Sequence, residues 1–255
     1  MDKYWIWFSR LNKIGAKTQN ELLEKYKTPK NIWFLTNEEL KKDKILTQIQ
    51  IDIILDKTYR NDLDKHINYL EKNNIKIITL RDKEYPRKLL NIYDPPTVLY
   101  VKGNANILNE KSIGIVGSRN CSEYGIKTTK QLAYNISKNN INIISGLAQG
   151  IDTYAHIATI AAHKKTIAVV GTGLDTVYPK ENKNICKEII EKGGAIITEY
   201  SLGTKPEKLN FPARNRIISG LSDGILVVEA SKKSGALITV DFALEQGKNI
   251  YCVPR

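Results

Sequence analysis

The stretch KSIGIVGSRNCSEYG, residues 111–125, decides how the chain is read. A short apolar run ends at Gly117-Ser118-Arg119, and an amphipathic run follows. A strand feeding a glycine turn at a helix start has this pattern, and such a turn receives phosphate. Five later segments repeat the apolar part: INIISG at 141–146, TIAVVG at 166–171, GAIITE at 194–199, DGILVVE at 223–229 and KNIYCV at 248–253. Helical patterns of roughly 10–17 residues separate most of them. Short, β-branched, nearly unbroken apolar strands suit a sheet covered on both faces. The alternation predicts right-handed crossovers and a doubly wound, mostly parallel α/β sheet of extended Rossmann-like type.

Upstream, the period changes. Residues 1–72 read as a small all-α domain, with helical spacing in NELLEKYKTPKNIWFL and IQIDIILDKTYRNDLDKHINYLEKN. Asn73-Asn74 ends the second run. LNKIGAKTQNELLEKY, residues 11–26, predicts a helix, a turn at Gly15 and a second helix, in the manner of a SAM or helix-hairpin-helix module. It carries one glycine where the hairpin motif has two, which favours a turn that only packs. Trp5, Trp7 and Trp33 predict a small core there, against the alternative of a docking surface for a partner protein. IKIITL at 75–80 and residues 97–101 predict two further strands around an extended Pro95-Pro96 turn. The domains are thus expected at 1–72 and 73–255.

The chain has 255 residues, 39 basic against 27 acidic, for a net charge of +12. Residues 1–74 hold 14 basic and 11 acidic residues, so the α/β region carries most of the excess. A basic surface favours polyanions, through phosphate neutralisation and counterion release. Three cysteines, Cys121, Cys186 and Cys252, with no CxxC spacing, predict free thiols and a cytoplasmic setting. No apolar run approaches the ~20 residues of a membrane span.

In a doubly wound sheet, ligands bind outside the carboxyl ends of the strands. Those ends carry Gly117-Ser118-Arg119, Ser145-Gly146-Leu147-Ala148-Gln149-Gly150, Gly171-Thr172-Gly173, Glu199-Tyr200-Ser201 and Glu229-Ala230-Ser231. Small residues at three ends of one rim predict close approach of an anion to backbone N–H groups. The nicotinamide fingerprint is absent: Gly114 and Gly117 have the wrong spacing, and GTGLDT at 171–176 ends in threonine. There is no GxxxxGK[ST] either. KPEKLNFPARNRIISG, residues 205–220, places Pro212 in the first turn of a helix. Arg214 and Arg216 then fall near a helix start, where their charge opposes the dipole. Anion binding resolves that conflict and predicts two guanidiniums converging on phosphate. Phe211, beside Lys208, Asn210 and Asn215, predicts an aromatic platform for a base, or else a plug at the helix entry.

GIVGSR, ISGLAQGID, IAVVGTGLDTVYPKEN and IITEY…NFPARNRIISGLSDGILVVEASKKSGALITVDFALEQGK together resemble the DprA/Smf family of bacterial DNA-processing proteins. The resemblance runs through nearly all of 111–255, and the YP…DPP…LY.KG segment before it also fits. It implies a protein that binds single-stranded DNA without catalysis, forms dimers, and loads the RecA recombinase onto incoming strands in natural transformation. It implies a pocket built from Arg119, Lys208, Phe211 and the Arg214–Arg216 segment, with Gly117, Ser118, Ser145 and Gly146 allowing backbone approach. No cofactor or metal is implied. Family members usually continue beyond the position of Arg255, often into a winged helix.

Two other chemistries compete. Residues 234–241, SGALITVD, faintly match the GGxGTxxE turn of nucleotide phosphoribohydrolases, but Ile238 stands where a glycine is needed and the acid is displaced. A nucleotide-binding relative on a related fold is the alternative reading. Asp152 and His156 lie one helical turn apart, with His163 further on, but no cysteine pattern completes a zinc site. A helix-start Asp and a packed His account for them. Glu199 and Glu229 end separate strands and are expected to orient arginines. A basic pocket does not stabilise an imidazolium, so a serine triad is not expected.

Overall fold

A computed structural model describes residues 2–42, 44–231 and 234–254. The chain opens on α1 (Lys3–Ser9), whose first turn is capped by the Asp2 carboxylate accepting from the Tyr4 amide. The turn after it leads to α2 (Ala16–Tyr26), preceded by Gly15. The Gln19 amide donates to the Ile14 and Phe8 carbonyls at 3.0 and 3.3 Å, so this turn is closed by packing.

The two long helical runs predicted here are each interrupted. Lys27 takes a left-handed backbone (φ +70°), and Thr28 with Pro29 restarts the chain as α3 (Pro29–Trp33). Pro29 sits at a first helical position, where its missing N–H costs nothing. After α4 (Asn37–Lys42), a Thr47–Gln50 capping box opens α5 (Gln48–Leu55). Asp56 then diverts the chain by capping a 3-10 turn at Lys57–Arg60, before α6 (Leu63–Lys72). A helical period alone does not reveal such side-chain competition for the backbone.

The strands follow: β1 (Ile75–Thr79), β2 (Val98–Gly103) and β3 (Ser112–Val116), then α7 (Glu123–Lys138). β4 (Asn142–Ser145), α8 (Ile151–Ala161), β5 (Thr166–Val169), α9 (Lys183–Glu191) and β6 (Ala195–Thr198) continue the alternation. The chain ends in α10 (Asn210–Leu221), β7 (Gly224–Val227), α11 (Gly235–Glu245) and β8 (Asn249–Cys252). All six strands expected after residue 111 are present, each shorter by one to three residues. The sheet order is β1-β2-β6-β5-β4-β3-β7-β8. The six strands from β3 onward pair in parallel, while β2 pairs antiparallel with both β1 and β6.

Successive side chains point to opposite faces, and both faces are covered. Val116, Ile144, Ile225 and Val227 join Ile217, Ile218 and Leu221 of α10 in one core. Ile115, Ile143 and Leu226 join Ala133 of α7 and Ile151 and Ala155 of α8 in another. The helical segment packs on the antiparallel end of the sheet: Trp7, Phe8, Leu22 and Leu70 share a core with Ile75, Val98 and Tyr100. The Tyr100 hydroxyl meets Ser9 Oγ at 2.6 Å across that contact. Trp5 and Trp7 are buried as expected, and the Trp7 and Trp33 rings meet edge to face at 5.1 Å. Among the described residues, no helix is long and apolar enough to cross a membrane.

Strand order reverses at β3, whose neighbours are β4 and β7. The crevice outside the carboxyl ends of β3 and β7 is therefore the topological switch point, where such sheets bind ligands.

Candidate nucleic-acid interface

The turn after β3 spans this switch point. Its Ser118 amide donates to the Glu229 carbonyl just beyond β7, at 2.7 Å. The Ile151 amide, at the start of α8, donates to the Ser118 carbonyl at 3.1 Å. Gly150 has φ +77°, and a Cβ there would collide with the Ser118 and Arg119 carbonyls. Only glycine lets α8 start this close to the turn. Ser118 Oγ donates to the Asn120 carbonyl at 2.9 Å, curling the turn so that Arg119 stands exposed at its apex.

Opposite the turn lies the start of α10, which no side chain caps. Phe211 is half-buried in its first turn. The ring lies on Gly171, where a Cβ would sit 3.2 Å from Phe211 Cδ1. Asn210 pins the same contact, its side-chain amide donating to the Gly171 carbonyl at 3.2 Å. The Tyr178 ring is 5.4 Å from that of Phe211, inclined by 38°. The Arg119 guanidinium carbon is 6.0 Å from the Phe211 centroid, within cation–π range. Lys208 and Leu209 are exposed on the approach to the helix. The structure thus gathers Gly117, Ser118, Arg119, Asn210 and Phe211 on one crest, with Lys208 beside it, while Gly171, expected to meet the ligand, is buried beneath the Phe211 ring.

Arg214 and Arg216 do not join them. Arg214 is 4% exposed, and its guanidinium donates to the Gly146 carbonyl at 2.6 Å and to the Val169 carbonyl. Burial pulls its pKa down to about 10, which still leaves it charged at neutral pH. Its counter-charge is Asp152, buried in the first turn of α8, whose carboxylate accepts from the Gly146 amide at 3.0 Å and lies near Ala148 N. Desolvation raises the Asp152 pKa, against the pull of Arg214 and these N–H groups. Arg216 is 4% exposed and forks onto both Glu199 oxygens at 2.5 and 2.7 Å, with its Nε 2.8 Å from Asp94. Burial alone lowers the pKa of Arg216, but the two carboxylates outweigh it and hold the guanidinium protonated. The conflict between these arginines and the helix dipole is resolved inside the protein, by acids and carbonyls, rather than by a phosphate.

Other expected contacts are also internal. Ser145 is fully buried and donates its hydroxyl to the Ile115 carbonyl at 2.6 Å. Gly146 is small because the Arg214 guanidinium lies against it, 2.6 Å from where a Cβ would be. Gly173 is buried between Asp175 and the Ser201 carbonyl. Asn215 turns toward α11, donating to the Gly235 carbonyl at 3.2 Å. Glu199 does orient an arginine, but Glu229 instead accepts from the Ser122 amide and hydroxyl at 3.0 and 2.9 Å, fixing the start of α7.

The alternative chemistries find their residues occupied. Thr166 Oγ1 donates to the Ile143 carbonyl at 2.7 Å, so it accepts at 2.8 Å from Nδ1 of the buried His156. Burial, aided by Arg214, lowers the His156 pKa to about 3. Residues 234–241 form the start of α11, with Ser234 capping it, Thr239 buried and Asp241 exposed. Gly150, read in the sequence only as part of the rim, is what permits the turn, and Tyr178, which flanks Phe211, was not singled out.

Residues 76–255 match the family of DNA recombination-mediator protein A. The chain is 36% identical to protein Smf of Synechocystis over 259 aligned residues, covering 99% of this chain and 64% of that protein. It is 44% identical to DNA processing protein DprA of Streptococcus pneumoniae, over 69% of this chain and 62% of that one. The chain spans about six-tenths of the length of these curated relatives. The X-ray structure of DprA from Streptococcus pneumoniae superposes with a TM-score of 0.76 at 34% identity, covering 100% of this chain and 87% of that one. DNA processing protein A from Helicobacter pylori, described for its single-stranded DNA binding mode, superposes with a TM-score of 0.65 at 32% identity, over 71% and 81%. By sequence and by fold, the chain belongs to the DNA recombination-mediator protein A family.

Proposed function

We propose that the crest running from the β3 turn across β4 to the end of β5, beside the switch point, binds single-stranded DNA. One observation carries this reading: an exposed guanidinium, Arg119, and a half-buried aromatic face, Phe211, are held together over Gly171. A base stacks on Phe211 while Arg119 and Lys208 neutralise the flanking phosphates. The backbone is reached by cations and the base by its π-face, so sequence selectivity is low. A duplex presents its bases already stacked and cannot offer one to Phe211, which favours single strands. Arg214, Arg216, Asp152 and Glu199 are the internal frame that holds the crest. The Helicobacter pylori relative, described for its single-stranded DNA binding mode, supports the reading. Family membership supports a part in DNA processing; recombinase loading and homodimer formation are added as part of the proposal. The carboxylate nearest the crest turn, Glu229, is engaged by the Ser122 amide and hydroxyl, and binding without catalysis is part of the proposal.

The test is a titration of the protein against a labelled oligothymidylate and a hairpin duplex of equal phosphate content, alongside incubation with nucleoside monophosphates. Tight single-strand binding with no release of free base is the expected result. Equal affinity for duplex, or liberation of base, overturns the proposal.

A further inference from the structure

Beside the crest, between α9 and the loop that follows β5, lies an open pocket of about 500 Å³. That is an ordinary size for a ligand site. Leu147, Val170, Leu174, Val177, Ile190 and Ile196 line its interior. Cys186, 8% exposed, adds a thiol to the wall. The lining also holds three amines, of Lys102, Lys183 and Lys187, against one acid, Glu191, which lies 3.6 Å from Lys187. Among the described residues, neither Lys102 nor Lys183 has an ion-pair partner. An apolar interior with unpaired cations suits a flat apolar body carried on an anion.

Two features join this pocket to the crest. Tyr178, 44% exposed, lines the pocket while its ring packs 5.4 Å from that of Phe211. Leu147 belongs to the loop that links β4 to α8 and holds Arg214 at Gly146. Its backbone is left-handed (φ +58°), and its carbonyl accepts from the Asn182 side chain at 2.9 Å. The pocket wall and the crest are therefore built on the same fixed loop.

We propose that this pocket receives a second nucleobase of the bound single strand, one that passes Tyr178 from the base on Phe211, with Lys102 and Lys183 beside its phosphate. The proposal rests on the single-strand reading of the crest and adds a second, apolar subsite to it. The strand then has one base on an open face and another enclosed.

The experiment uses a twelve-residue oligothymidylate and three variants of the full chain. Ile190→Trp fills the pocket without changing charge. It raises Kd by about 5- to 150-fold, the range for losing one stacked base, with the salt slope kept. Lys183→Gln flattens the slope by about 0.7. Phe211→Ala reports on the crest separately. In the unaltered chain, alkylation of Cys186 is followed by mass spectrometry with exposed Cys252 as internal control. Burial pushes the Cys186 thiol up to about 11, so alkylation is slow and protection is read as a ratio of rates. The oligothymidylate slows it; thymidine monophosphate at equal nucleotide concentration does not. A folded Ile190→Trp with parental affinity overturns the proposal. So does a Cys186 rate that saturating oligothymidylate leaves unchanged, or one that only the free nucleotide slows. Should Ile190→Trp not fold, the Cys186 measurement decides. Weak binding by Phe211→Ala with Cys186 unprotected removes the subsite and leaves the crest; parental binding by Phe211→Ala removes the crest reading itself.

Discussion

Replacing Arg214 by methionine separates a buried brace from a phosphate ligand. The methionine keeps most of the length and removes the charge. Three groups then lose their partner: the Gly146 and Val169 carbonyls and the Asp152 carboxylate. All three lie inside the molecule, where water does not replace the guanidinium. Breaking a buried pair by removing one member costs about 3–5 kcal/mol. For a domain of this size, that lowers Tm by about 6–20 °C. The loss depends on pH. Desolvation already raises Asp152 above its unfolded value, and removing Arg214 raises it further. A carboxyl with a raised folded pKa is tolerated while protonated and destabilises as pH climbs above its unfolded value, about 3.9. The difference in Tm between parent and Arg214→Met therefore grows from pH 5 to pH 8. Asp152→Asn added to Arg214→Met recovers part of it. Thermal denaturation across that pH range, with oligonucleotide binding measured on the folded variant, is the assay. A Tm within about 2 °C of the parent, joined to a flatter salt dependence of binding, would mean that Arg214 meets the DNA and that the brace is wrongly assigned.

Gly171→Val places methyl groups where the Phe211 ring now lies, since a Cβ alone stands 3.2 Å from it. The ring is pushed from its place beside Tyr178 and Arg119, and single-strand binding weakens by up to the 1–3 kcal/mol of a lost stack, with its salt slope retained. His156 is neutral in the fold, with its pKa lowered to about 3. As pH falls below about 6.5 the unfolded chain takes up a proton that the fold refuses, so stability drops by about 1.4 kcal/mol per pH unit from this residue. His156→Gln flattens stability against pH between about 6.5 and 4 in urea titrations; an unchanged slope would show that His156 titrates freely.

The architecture was largely legible in the sequence, because the short, unbroken apolar strands and their helical spacers are local patterns. All six strands after residue 111 stand where expected, and the crest falls at their carboxyl ends. What was not legible is which way a side chain turns. Arg214 and Arg216 sit near a helix start in the sequence, and their charge there does reflect an anion. The anions are Asp152, Glu199 and Asp94, brought in from other elements across as many as 122 positions of chain. Gly146 likewise is small for a reason that only packing reveals: it lies under a guanidinium, not under a ligand. The exposure of Arg119 was legible because its own short turn sets it, whereas Phe211 meets Gly171 and Arg119 only through the fold. Tyr178 was missed because its partner, Phe211, lies on a different loop.

The most direct measurement compares the salt dependence of oligothymidylate binding for the parent, Arg119→Ala and Phe211→Ala. The account predicts a slope flatter by about 0.7 for Arg119→Ala. It predicts affinity lower by about 1–3 kcal/mol with an unchanged slope for Phe211→Ala. Binding by both variants that matches the parent at every salt concentration contradicts it.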